Sequence, residues 1–509
     1  AAAVVQVVAV SDVCSHGLIA AATGLGEQEL IAGIREALRA RIIGATDDGY
    51  RIRHALLREA IIDDLLPVER IRLHRNCAYG LEALAGASAS GLSAHDAAAA
   101  AYHWAQADEP QRAMPALAAA AQAAGDIHAY AEQARLLVEA IDCAERIPDA
   151  ATLTGMSRSR MLTDAAAAAT WSGQYHLILD IVGKALDSSA PPIEPTTAAM
   201  LLAHRAMALH HLGRDGVLET AGEALAMLPG EPTVAATMAR DYLASVLNLA
   251  GCPDRARDLA EQTAKMAVDL SDPGLSVQAQ TTLGWILGEL GDYPRSIAVL
   301  EAAQADTSQA AGMPRHARIW LNLAVAHTAM GRYAAAVEAA RAGLALHQMS
   351  GLDRSLGLDR LLNMTPPLIA LGRLQEAETI IARAQSRDPP ATIAAQLYAL
   401  RAEIGRLRGD PGTAHCDLVA ARLAAGIPRR PLASELPLLA LESEVALAED
   451  APDRAATAAR RGLQIEFGPT SQRWRMLIAA ARAANHPGVD HHTARSLHAD
   501  ITRTVDHMP

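Results

Sequence analysis

Leu283-Gly284-Trp285-Ile286-Leu287-Gly288-Glu289-Leu290-Gly291-Asp292-Tyr293 decides the fold class of this chain. Forty residues later, Leu323-Ala324 precedes Gly331 and Tyr333 at the same offsets. In both stretches a small residue stands seven before a turn glycine, and a tyrosine follows two after it. Outward from this pair, turn glycines stand at Gly173, Gly213, Gly251, Gly291, Gly331, Gly372 and Gly409, at intervals of 40, 38, 40, 40, 41 and 37. Ala448-Glu449-Asp450-Ala451-Pro452 falls on the same spacing without its glycine. A fixed step of this size marks a helical repeat array.

The local chemistry agrees with the step. Glycine supplies the left-handed conformation that ends a helix. The segments after the turns are amphipathic: Tyr293, Ile297 and Leu300 share one face, as do Val337, Ala340 and Leu344. Breakers separate the units at Ser188-Ser189-Ala190-Pro191-Pro192, Pro229-Gly230-Glu231-Pro232, Asp388-Pro389-Pro390 and Pro428-Arg429-Arg430-Pro431. Aromatic residues make up 3% of the chain, with Phe467 the one phenylalanine, so Ala and Leu must fill the core.

The Leu-Gly…Gly-x-Tyr spacing resembles the tetratricopeptide pattern, in which small residues allow close helix contact and the tyrosine wedges between helices. That family's unit has about 34 residues, so the longer step implies extended helices. A HEAT or armadillo array fits the period about as well; the tyrosine spacing favours the tetratricopeptide reading. The expected fold is all-α, a right-handed superhelical solenoid of tetratricopeptide-like helix pairs with a period of about 40.

Composition narrows the function class. The chain has 509 residues, 51% hydrophobic and 20% charged, with a formal net charge of −12. That balance is globular. The negative charge opposes DNA binding by this chain alone, so DNA contact is expected only through a missing domain. No apolar run is long enough to cross a membrane, and no basic segment precedes Ala1–Val10 as in a signal peptide. Cys14, Cys77, Cys143, Cys252 and Cys416 are scattered and unpaired in spacing, which reads as reduced thiols. A cytoplasmic location follows as the expectation. The chain starts with Ala1 and stops at Pro509 soon after a helix-like segment, so more protein is expected on either side.

The first residues break the repeat. Ala1–Val10, Leu18–Thr23 and Glu27–Ile43 read as helices, the third with Leu30, Ile34, Leu38 and Arg41 along one side. Ala45-Thr46-Asp47-Asp48-Gly49-Tyr50 reads as a β-hairpin turn. A further helix begins near His54 and is interrupted at Pro67. Three helices and a hairpin make a winged-helix arrangement. Tyr50-Arg51-Ile52-Arg53-His54-Ala55-Leu56-Leu57-Arg58-Glu59-Ala60, followed by Leu65-Leu66-Pro67-x-Glu69-Arg70-x-Arg72-Leu73-His74, resembles the winged-helix segment of large ATP-binding LuxR-type regulators of the STAND ATPase class. Tyr102-His103-Trp104-Ala105 and Arg112-Ala113-Met114-Pro115-Ala116-Leu117 look like that family's first sensor helices. The expected layout is a winged-helix module at 1–85, connecting helices at 86–125, a repeat array at 126–484 and a tail at 485–509. The family's ATPase core and helix-turn-helix are not in this sequence: no G-x-x-x-x-G-K-[ST] loop occurs, and Gly183-Lys184 lacks the earlier glycine and following hydroxyl.

The resemblance implies one site. A histidine opening the equivalent helix in related STAND ATPases touches the nucleotide phosphate, so Arg53 and His54 are nucleotide-sensor candidates that act only beside a missing ATPase domain. ATP or ADP is expected only in a full-length parent; this chain needs no cofactor. The plainer reading of His54 is a surface or packing histidine. His486, His491, His492 and His210-His211 match no zinc spacing, so no metal site is expected. No G-x-S-x-G, H-E-x-x-H or paired Cys–His signature is present, and no catalytic residue is expected. The Asn363-Met364-Thr365 sequon would go unused in the cytosol. Trp171, Trp285, Trp320 and Trp474 read as helix-packing residues, with ligand stacking in a groove as the alternative.

The functional expectation is the sensing region of a LuxR-type STAND regulator, binding a small-molecule inducer or a protein partner in its groove. A stand-alone scaffold for a protein partner is the alternative. Self-association is a further expectation.

Overall fold

A computed structural model describes residues 1–11, 13–86, 94–147, 151–187, 191–305, 313–349, 357–386, 389, 391–425, 435–465 and 470–506. Phe467 lies outside the described residues, as do residues 188–190, 387–388 and 390 and all of 426–434, where three of the expected breaker loops fall.

The chain opens with α1 (Ala2–Ser11), β1 (Val13–Cys14), α2 (His16–Thr23), α3 (Glu27–Arg39), β2 (Ile43–Thr46), β3 (Gly49–Ile52), α4 (Ala55–Asp63) and α5 (Pro67–Gly86). The hairpin forms where Asp48-Gly49 foretells it, with Thr46 opposite Gly49 and Ile43 opposite Ile52. Gly49 has a φ of 145° and its α-carbon abuts the Cys14 carbonyl, so an added Cβ would sit 2.1 Å from that oxygen. Only glycine fits there. The short β1 pairs antiparallel with β3, giving the order β1-β3-β2. Two residues of strand carry no alternation to read, so β1 escapes the sequence. The third helix is shorter than expected. Arg41 takes a φ of 58°, which ends α3 and turns Ile43 into the first strand residue of the hairpin.

Among the described residues only helices follow as regular elements. They are α6 (Ala94–Gln106), α7 (Pro110–Asp126), α8 (Tyr130–Ala144), α9 (Ala151–Thr154), α10 (Arg158–Trp171), α11 (Tyr175–Ala185), α12 (Pro195–His211), α13 (Val217–Met227), α14 (Val234–Leu249) and α15 (Pro253–Asp269). They continue with α16 (Pro273–Glu289), α17 (Tyr293–Ala305), α18 (Met313–Ala329), α19 (Tyr333–Met349), α20 (Gly357–Ala370), α21 (Leu374–Gln385), α22 (Ala391–Leu407), α23 (Pro411–Ala425), α24 (Leu436–Ala448), α25 (Pro452–Leu463), α26 (Thr470–Ala484) and α27 (His491–Asp506). The fold is an all-α repeat with a small N-terminal sheet.

All seven turn glycines are left-handed, with φ between 62° and 86°. At each, the glycine N–H donates to the carbonyl three residues back and the next N–H to the carbonyl five back. At Gly291 these bonds are Gly291 N to Gly288 O, 3.1 Å, and Asp292 N to Leu287 O, 2.9 Å. This double bond satisfies carbonyls that a helix end would leave open. Asp450 (φ 56°) and His128 (φ 59°) make the same pair of bonds without glycine. Asp108 (φ 53°) makes the pair as well, so the turn geometry already joins α6 to α7, upstream of residue 126. Residues 485–509, expected as a tail, contain α27, whose Leu497 is fully buried against α25 and α26.

The chain divides into two compact units, Ala1–Asp215 and Gly216–Pro509. In the second, successive first helices (α14, α16, α18, α20, α22, α24, α26) touch one another directly. Among the described residues, the second helices of the pairs pack on first helices and, α25 with α27 apart, barely on each other. A stack whose two layers are unequally close bends toward the closer layer, so the first helices form the inner wall of this unit. Close approach depends on the small residue: Gly284 of α16 faces the fully buried Leu300 of α17.

Candidate functional site

Counting back from each turn residue gives a common register for the first helices. The residues six before the turn are Ser245, Trp285, Val325, Pro366, Glu403 and Glu444. Trp285 is half-buried, Val325 and Pro366 are exposed, and this line marks where the wall carries polar and aromatic groups.

The wall across α14, α16 and α18 is built of mutually fixed side chains. Gln278 Nε2 donates to Asp241 Oδ2 at 2.9 Å. Burial raises the Glu289 pKa, and the neighbouring Trp285 eases it back. The Arg318 guanidinium stands 6.0 Å from the Trp285 ring centroid. Burial pulls Arg318 below the usual arginine range, partly offset by Asp241 and Tyr242 nearby. Asn322, one turn after Arg318, donates to the Thr281 carbonyl at 3.4 Å. Among the described residues Arg318 has no hydrogen-bonding or ion-pair partner.

Further along, the wall is charged but closed. Arg475 bridges Glu403 (2.6 Å) and Glu444 (2.9 Å), and Arg406 reaches the same two carboxylates at 2.8 and 3.3 Å. Two cations and two anions complete a neutral square across α22, α24 and α26. Burial raises the Glu403 pKa, but Arg475 and Arg406 outweigh it and hold the carboxyl low. On α22, Arg401 is likewise closed, on the buried Asp417 at 3.0 Å.

The two sequence candidates lie in the first unit. His54 is exposed at the N-terminal boundary of α4 and makes no side-chain cap bond. Arg53 is exposed and its Nε donates to the Ile43 carbonyl at 3.1 Å, which ties the hairpin to the helix start. They are chain neighbours on one surface, and α4 has no buried residue. Leu56 of α4, Leu66 just before α5 and Val68 of α5 are 80%, 65% and 76% exposed.

Where α1, α5 and α6 meet is a polar chain absent from the sequence reading. His74 Nδ1 and His103 Nδ1 lie 2.9 Å apart, His103 Nε2 is 3.1 Å from Ser11 Oγ, and Ser11 donates to Cys77 Sγ at 3.4 Å. Burial, with Arg70 adding to it, lowers His74 to about 4; burial, with His74 adding to it, lowers His103 to about 3. Burial pushes the Cys77 thiol up to about 11. Both rings are therefore neutral at ordinary pH. No group of three or more metal-ligating side chains occurs among the described residues.

The tryptophans divide. Trp285 and Trp320 are half-buried, while Trp171 and Trp474 are 52% and 49% exposed; Trp171 nonetheless stacks on Tyr130 of α8, ring centroids 6.1 Å apart. Trp104 is the fully buried one, and its Nε1 donates to Glu82 at 2.7 Å. Arg318 could have been found in the sequence by aligning on the turn glycines. Gln278 and Arg318 both stand thirteen before a turn glycine, at Gly291 and Gly331.

Residues 317–346, which include Arg318 and the turn at Gly331, match the tetratricopeptide repeat family. None of the curated proteins matches. Among solved structures, the chain is similar to a STAND signal transduction ATPase with a tetratricopeptide repeat sensor from Pyrococcus horikoshii. The two share 14% identity over 82% of this chain, with a TM-score of 0.42, and this chain spans 62% of that protein's length. A tetratricopeptide repeat protein from Parabacteroides merdae shares 14% identity over 60% of this chain and 98% of its own, with a TM-score of 0.38. A Rap protein in complex with competence and sporulation factor shares 12% identity over 78% of this chain and 100% of its own, with a TM-score of 0.44. No described helix is long and apolar enough to cross a membrane.

Proposed function

We propose that this chain is the sensing region of a LuxR-type STAND transcriptional regulator, and that its work is binding and not catalysis. The carrying observation is the polar and aromatic wall across α14, α16 and α18, where Arg318 lies on Trp285 beside Asp241 and Gln278. An inducer or protein partner bound on that wall changes the separation of adjacent first helices. A ligand that prefers one separation biases a two-state equilibrium. The N-terminal module supplies the second half of the reading. Its element order α1-β1-α2-α3-β2-β3 and sheet order β1-β3-β2 support a winged helix. The exposed Leu56, Leu66 and Val68, with exposed Arg53 and His54 in the same module, support docking of a nucleotide-binding domain carried elsewhere in the parent protein. In that assembly His54, exposed at a helix start, is free to donate to a phosphate. ATP or ADP belongs to that separate domain, and DNA contact to another.

The test is the flanking reading frame together with hydrogen exchange. A phosphate loop encoded upstream and a helix-turn-helix downstream establish the regulator; a frame that encodes neither favours a stand-alone scaffold. A genuine inducer or partner slows amide exchange in α14–α18, and protection confined to other helices refutes this site.

A further inference from the structure

Ser11 closes α1, His74 and Cys77 stand on α5, and His103 stands on α6, so their contacts tie three helices together. His74 and His103 are 4% and 2% exposed, and Cys77 is fully buried. The contacts fix where the protons sit. Ser11 gives its one hydroxyl proton to Cys77 Sγ, so at the 3.1 Å contact His103 Nε2–H donates to Ser11 Oγ. A neutral His103 then has a bare Nδ1, which accepts from His74 Nδ1–H at 2.9 Å. His74 Nε2 is left as the ring nitrogen open to a first added proton. A second would have to enter at His103 Nδ1, where two N–H groups would face each other across 2.9 Å. An apolar joint of the same size would be indifferent to pH; this one loses its central bond when both rings are charged.

The surroundings do not shelter such protons. Arg70, one turn before His74, opposes a positive charge there. The Tyr102 ring stands edge-on to His74, 5.7 Å between centroids, and offers no anion. α1 carries no charged side chain. On the elements around it, Arg58 of α4 donates to the Ala9 carbonyl, Arg75 of α5 pairs with Glu109, and His16 of α2 lies 3.3 Å from Glu27. Glu82 of α5 accepts from Trp104, with Arg112 of α7 beside it, and Asp96 stands two turns before His103 on α6. From this geometry we infer that Ser11, His74, Cys77 and His103 form an acid-opened latch that holds α6 to α1 and α5. The latch goes beyond the sensing reading and does not rest on it. Both histidines titrate near the ordinary 6.5 when the latch is open, and at about 4 and about 3 when it is closed. The open form therefore binds more protons in that window: the latch is shut above pH 6.5 and loosens as pH falls. Opening it uncovers the Cys77 thiol.

The experiment is thiol labelling of the full chain with 4,4′-dithiodipyridine, which reacts in mild acid, with each labelled cysteine located by peptide mass spectrometry. The exposed Cys416 is the rate reference and cancels the reagent's own pH dependence. The buried Cys143 of α8 reports unfolding of the whole first unit. Each histidine contributes about tenfold per pH unit below its ordinary value. Labelling of Cys77 relative to Cys416 is therefore expected to rise about a hundredfold between pH 7.5 and pH 5.5, while Cys143 stays protected. His103→Gln removes one titrating ring and should cut the rise to about tenfold. Ser11→Ala removes a bond but no titrating ring, so it should raise the baseline and keep the full rise. Thermal unfolding checks that both variants are folded. A Cys77 ratio that is flat over this range, Cys143 labelling that climbs in step with Cys77, or a folded His103→Gln with the wild-type rise overturns the inference. Should His103→Gln fail to fold, the wild-type profiles of Cys77 and Cys143 decide alone.

Discussion

Gly284→Ala is the sharpest test of how the repeat packs. An added Cβ would lie 2.5 Å from Leu300 Cγ and 2.7 Å from its Cδ2. The near atom is the branch carbon of a side chain with no exposed surface, so it cannot swing aside. Overpacking of a tight core costs about 1–3 kcal/mol, and contact at a branch carbon belongs at the upper end. Alanine returns about 1 kcal/mol through its better helix propensity. The net expectation is a loss of roughly 1–2 kcal/mol. Gly183→Ala and Gly222→Ala supply the control. Both sit in helices with nothing within 4 Å of an added Cβ. They should gain roughly 0.5–1 kcal/mol. Urea unfolding, with amide exchange resolved to α16 and α17, reads both signs. The double variant Gly284→Ala/Leu300→Ala should be no less stable than Leu300→Ala alone, because the clash has no second partner. A neutral or stabilising Gly284→Ala, or additive effects in the double variant, refutes the packing argument.

Asp450→Gly should stabilise the second unit by about 1 kcal/mol, since Asp450 holds a left-handed φ that glycine adopts without strain; a lower urea midpoint would contradict this. Removing Arg475 as Arg475→Met leaves Glu403 and Glu444 facing each other with only Arg406 between them, and a loss of about 1–3 kcal/mol is expected after discounting for partial exposure. Because the folded Glu403 pKa is depressed, its share of stability is present above the ordinary glutamate range and is lost as pH falls through the folded value. The difference in urea midpoint between wild type and Arg475→Met should therefore be largest near pH 7 and shrink as the pH is lowered below the ordinary glutamate range. His74 and His103 act in the first unit with folded pKa values of about 4 and about 3, below the ordinary 6.5. The unfolded chain binds more protons between those limits, so the first unit loses stability as pH drops below 6.5; amide exchange in α5 and α6 that is flat from pH 7 to pH 5, after correction for intrinsic rates, would contradict this.

The turns were readable because only a left-handed residue closes the double carbonyl bond, and glycine advertises that conformation. His128 and Asp450 perform the same closure, and their side chains hide it; Asp450 was found by spacing alone, and His128 not at all. Gly284 was readable for a related reason, since a missing Cβ signals a close neighbour. The neutral square of Glu403, Arg406, Glu444 and Arg475 was not readable. Its partners stand up to 72 residues apart and meet only because three first helices stack. The resemblance placed His54 at a helix start, where it is, while the buried His74–His103 pair depends on two helices meeting and left no periodic trace.

The unequal closeness of the two helix layers has a mechanical consequence. The inner layer acts as a fulcrum and the outer layer as free arms. Taking layers and neighbouring helices to be roughly 10 Å apart, widening the α16–α18 gap by about 1 Å tilts one pair against the next by roughly 6°. Carried from α18 to α26 by four such steps, that tilt moves the far helices by roughly 4 Å. A molecule no larger than an amino acid, seated at the fulcrum, can thus be felt at a distance many times its own width.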